Sequence, residues 1–135
     1  MMNVEEEHTD VLQNIEFAIV SVHQRNLTLV DFEVETALNA LMAHYQAQAI
    51  GRAARPVRLN ERSQQVFDMM KTMCEWRMGN DAELSEDMRK RGPKLPPVSA
   101  DIIMACLKRI RKSVQRWNKE GGRQGYLTFI GRFIK

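Results

Sequence analysis

Long apolar runs are missing from this chain. No stretch approaches the 18 or so residues that a membrane-spanning helix needs, which argues against a helical membrane protein. Cysteine is scarce. Cys74 and Cys106 stand far apart and without CxxC spacing, so the chain is not a disulfide-built scaffold; the pair fits buried thiols in a reducing compartment, and a cytoplasmic location is expected. The first ten residues contain acids but no Lys or Arg, the reverse of a secretory leader. Seven glycines and four prolines are too few for a collagen-like or low-complexity chain. Acids are nearly absent from the C-terminal third: residues 89–135 hold 13 Lys and Arg against 2 Asp and Glu, whereas residues 1–88 hold 7 against 15. An asymmetry this large hints at an anionic partner. Acids at helix starts and bases at helix ends would also complement helix dipoles, and an acidic half can pack beside a basic one.

What remains is an ordinary globular composition. With 135 residues, 44% of them apolar and 27% charged, the chain can build one domain around one core, and residues 1–135 are expected to form it. The periodicity predicts an all-α fold: a helical bundle of four main helices plus a short C-terminal helix. Residues 10–25 set Val11, Leu12, Ile15, Ala18, Ile19 and Val22 on one face, with Thr9 or Asp10 as cap and Phe17 and Val20 on the opposite side. The run 15–20 also suits a strand, but the pattern is too long for one strand and no second strand is available to pair with it. A second helix from about Asp31 to Ile50 presents Val34, Leu38, Leu41, Met42, Tyr45 and Ala49, with Thr28 or Asp31 as cap and Gly51 as its stop.

A basic linker, 51–58, contains Pro56, which favours extended backbone before it. Asn60 then caps a third helix that runs to about Met78 and ends at Gly79. Its apolar arc holds Val66, Phe67, Met69, Met70, Met73, Cys74 and Trp76. Residues 79–98 show no periodicity and contain three prolines, so a flexible loop is expected. Ser99 opens the fourth helix, with Val98 and Ile103 placed for a hydrophobic staple; Ile103, Cys106, Leu107, Ile110, Val114 and Trp117 make its inner stripe. Beyond Gly121-Gly122, Tyr126, Phe129, Ile130, Phe133 and Ile134 repeat at helical spacing.

Catalytic signatures are lacking. His8, His23 and His44 fall in no HxxxH, HExxH or Cys/His cluster, and no ExxH occurs, so no metal site and no cofactor is expected. Glu5 to Glu7, and Glu33 with Glu35, read as solvated helix starts that do not converge on Mg²⁺. There is no GxSxG, Walker loop or GxGxxG. Residues 121–125 (Gly-Gly-Arg-Gln-Gly) could cradle a phosphate but fit a helix C-cap and turn better.

The fourth helix is the most informative surface. Lys108, Arg109, Arg111, Lys112, Arg116 and Lys119 spread opposite its apolar stripe, residues 102–119 contain no acid, and Arg123 extends the patch. A solvated face normally mixes signs; an unmixed one repels itself unless something anionic lies against it. The expected function is therefore non-enzymatic binding of an anionic partner through this face, either nucleic acid or an acidic protein. The alternative is a homodimeric interaction module whose acidic and basic halves complement each other, with Phe17, Val20, Met69 and Trp76 covered by the partner chain.

Overall fold

The computed structural model describes residues 8–26, 31–53, 58–79 and 97–120. Every regular element among them is helical: α1 (Thr9–Asn26), α2 (Asp31–Ala49), α3 (Glu61–Arg77) and α4 (Ala100–Glu120). The expected loop lies outside these residues except at its two ends, and the C-terminal helix and the Thr28 cap lie wholly outside them.

The boundaries follow from capping chemistry. Asn60 has extended backbone (φ −69°, ψ 170°), and its Oδ1 accepts a hydrogen bond from the Ser63 N–H at 2.8 Å, satisfying one of the orphan donors of α3. α2 stops in a Schellman turn. Gly51 takes φ +72°, its N–H bonds to the Gln48 carbonyl at 3.1 Å, and the Arg52 N–H bonds to the Ala47 carbonyl at 2.9 Å. Gly79 follows the end of α3 at φ +87°, with its N–H on the Trp76 carbonyl at 3.1 Å. Ser99 receives the Ile102 N–H on its Oγ at 3.4 Å, opening α4.

All four helices contribute to one hydrophobic core. Val11, Ile15 and Ile19 of α1, Val34, Leu38 and Leu41 of α2, Val66 and Met70 of α3, and Ile103, Cys106 and Leu107 of α4 are all essentially without solvent exposure. α1 packs against α3 and α4, and α2 packs against the same two. Cross-helix bonds set the directions. The Ser63 hydroxyl donates to the Glu33 carbonyl at 3.2 Å, joining the first turns of α2 and α3, so these neighbours run parallel. Asp10 meets Arg77, start to end, so α1 and α3 run antiparallel. Arg111 with Asn39 and Gln115 with Glu35 show α4 antiparallel to α2. Because α2 and α3 are parallel, the ends joined by residues 50–60 lie most of a helix length apart. The long connection is therefore a geometric requirement.

Three expectations need correcting. Val20, assigned to the outside of α1, is completely buried, because α1 lies against two helices and needs an apolar surface wider than one stripe. Phe17 remains half exposed. Met69 and Trp76 pack partly buried against the core, so α3 does not present them as a bare face. Ala49, placed on the inner stripe of α2, is exposed in its last turn.

Candidate anion-binding face

The inner side of α4 buries Ile103, Cys106, Leu107, Ile110 and Val114, and this fixes what the rest of the helix presents. Lys108, Arg109, Lys112 and Arg116 are exposed. At 100° per residue, Lys108, Lys112 and Arg116 occupy about 80° of arc, centred nearly opposite the buried stripe. Arg111 departs from the expected face. It is half-buried at the α2 seam, where Nη1 donates to Asn39 Oδ1 at 3.4 Å and Nε is buried without a hydrogen-bond partner. One turn on, Gln115 Nε2 donates to Glu35 Oε1 at 3.1 Å. The flank of α4 toward α2 is thus held by the Arg111 cation on an amide and by the Gln115 amide on a carboxylate, contacts in which Lys108, Lys112 and Arg116 take no part. The described side chains do not include Lys119, and Arg123 lies outside the described residues.

Charge in the interior is the feature that sequence reasoning missed. Glu33, expected to be a solvated helix start, is buried; its Oε1 lies 3.5 Å from Arg62 Nη1, and Oε2 has no hydrogen-bond partner. Arg77 is also buried, with Nη2 3.0 Å from Asp10 Oδ2, close enough for an ion pair but not aligned as a hydrogen bond. A signal was present for both. Arg77 continues the row Ser63, Val66, Met70 and Met73, all buried, and Glu33 continues the row of the buried Ala37 and Ala40. These groups join helix ends in opposite-charge pairs, the usual structural use of buried ions.

The thiols and the phenol of the core are chemically quiet. Burial pushes the Cys74 thiol up to about 12. Burial first, and nearby Asp10 second, raise Cys106 to about 11. The Tyr45 hydroxyl is driven far above its ordinary range by burial and by neighbouring Cys74 and Glu75, and it meets no partner at hydrogen-bonding geometry. His44 is half-buried, its ring edge-on to Tyr45 and Phe67. Among the described residues no three His, Cys, Asp or Glu side chains converge to hold a metal ion, and no helix is long and apolar enough to cross a membrane.

No protein-family model matches the chain, and neither a curated protein nor a solved structure is detectably similar to it.

Proposed function

We propose that the chain is a single-domain, cytoplasmic helical binding protein, without catalytic machinery, that engages an anionic partner through the outer face of α4, nucleic acid being the first candidate. One observation carries this reading. Lys108, Lys112 and Arg116 stand exposed on one side of α4, and no salt bridge among the described residues engages them. Self-repulsion within such a row is relieved when anions lie against it. Arg109 borders the row, and Lys119 and Arg123 continue the basic sequence beyond it.

The test is binding of mixed DNA or RNA at low ionic strength by the full chain and by the triple substitution Lys108→Glu, Lys112→Glu, Arg116→Glu. Binding by the parent and its loss in the variant, with helical circular dichroism unchanged, supports the reading. A parent that binds no polyanion at low salt overturns it.

A self-associating module is the second reading, favoured by the exposure of Phe17 (50%) and Phe32 (69%). Single exposed apolar residues are common on monomers, and with Val20 buried the surface left to a partner chain is reduced. Sedimentation separates the two. A dimer that splits on the triple substitution would favour complementary halves over an outside anion.

A further inference from the structure

α1 packs one side against α3 and α4, and the other side carries Phe17, which is 50% exposed. At 100° per residue, buried Ile15, Ile19 and Val22 all lie within about 40° of the point opposite Phe17. The exposed or half-buried side chains within about 60° of Phe17 are Asp10, Gln13, Asn14, Ser21 and Gln24. From Gln13 to Gln24 this strip holds no charge, although 27% of the chain is charged. Its amides and hydroxyl donate and accept alike, so the strip can satisfy a copy of itself. Ser21 folds its hydroxyl back onto the Phe17 carbonyl at 2.9 Å, which leaves only a small side chain beside the ring.

The strip is laid out evenly about Phe17. Gln13 stands four residues before it and Ser21 four after; Asp10 stands seven before and Gln24 seven after. Charge enters only at the two ends, and with opposite sign: Asp10 in the first turn, and in the last turn exposed Arg25, a long side chain about 80° round from Phe17. Arg25 takes part in no salt bridge among the described residues, and Asp10, though paired with Arg77, keeps 36% of its side chain exposed. Laid antiparallel on a second α1 with Phe17 on the two-fold axis, Phe17 meets Phe17, each Gln13 meets a Ser21, and each acidic start meets a basic end. Antiparallel helix dipoles favour the same arrangement, whereas a parallel pairing would set like charges together.

We propose that α1 is the interface of a two-fold dimer of this chain, antiparallel and centred on Phe17. The proposal rests on the self-association reading, puts one helix pair in place of complementary halves, and does not draw on the α4 cations. About 23 Å of helix laid on its copy covers on the order of 1,000 Å² in total, the range of weak and reversible contacts, so the dimer depends on concentration.

The experiment is sedimentation of the full chain over a concentration series, together with cysteine cross-linking under mild oxidation. The parent is expected to dimerise, and Phe17→Lys to weaken dimerisation by roughly thirtyfold or more, the effect of losing a central interface residue. Helical circular dichroism should not change, since Phe17 is half exposed. A residue on the two-fold axis lies beside its own copy, so Phe17→Cys should form a disulfide-linked dimer. Gln24→Cys should not, because its copy lies about 21 Å away along the helices, far beyond disulfide reach. Cross-linking through Gln24→Cys as fast as through Phe17→Cys would overturn the proposal. A dimer that persists in Phe17→Lys but splits when Lys108, Lys112 and Arg116 are reversed would overturn it too, while leaving self-association intact. A parent that stays monomeric at millimolar concentration would remove both.

Discussion

At the scale of single residues, burial keeps the two core thiols in their neutral forms, and that has a pH signature. An unfolded chain releases thiol protons near pH 8.5, whereas folded Cys74 and Cys106 hold theirs until about 12 and 11. Between those limits the unfolded chain binds fewer protons than the folded one, so stability falls as pH rises; below about pH 8.5 the contribution is fully present. The melting temperature is therefore expected to fall between pH 8.5 and 9, where an ordinary tyrosine is still no more than about a tenth ionised. In the double substitution Cys74→Ala, Cys106→Ala the fall should be clearly shallower, even if the starting value is lower because cavities are left. Parallel profiles for the two proteins would show that the thiols play no part. The burial of both cysteines was legible from their positions on inner stripes. The ion pairs Asp10–Arg77 and Glu33–Arg62 were not, since each joins residues far apart in sequence and only the packing of the helices reveals the partner.

At the scale of helices, the sequence was readable wherever it carried stop and start chemistry. Asn60, Ser99, Gly51 and Gly79 all stand at the boundaries their side chains or torsions favour, because capping is a local matter of a few residues. Helix order around the core was not readable, since the same apolar stripes can meet in several ways. The parallel pairing of α2 with α3 is the case in point, and it makes the connection 50–60 a measured length. From Ala49 back to the level of Glu33 is about 24 Å of helix rise, and crossing to a neighbouring helix raises the span to roughly 26 Å. Removing residues 53–57 leaves a connector that reaches at most about 25 Å when fully extended. That deletion is expected to abolish cooperative unfolding, as followed by circular dichroism in urea. Inserting five Gly and Ser residues at the same place should cost less than about 1 kcal/mol, because loop entropy grows only logarithmically. Equal tolerance of both changes would contradict the parallel arrangement.

At the scale of the whole molecule, the division of charge along the sequence was plain, but where the two halves meet was not. Asn39 and Glu35 touch α4 through Arg111 and Gln115, and the outward cations take no share in that seam. Reversing Lys108, Lys112 and Arg116 together should accordingly leave the melting temperature within about 2 °C of the parent, the range of surface changes that break no contact. A loss several times larger would mean that the acidic half does hold this face. The seam beside α3 has a different consequence. The Val98 N–H donates to the Arg77 carbonyl at 2.7 Å, and a side chain on Gly79 would come within 3.4 Å of Pro97. The chain thus departs from α3 and comes back to it at one point, already fastened shut. To the four-helix core that point is a closed doorway. Chain added between Gly79 and Pro97 therefore adds no distance that α3 and α4 would have to span.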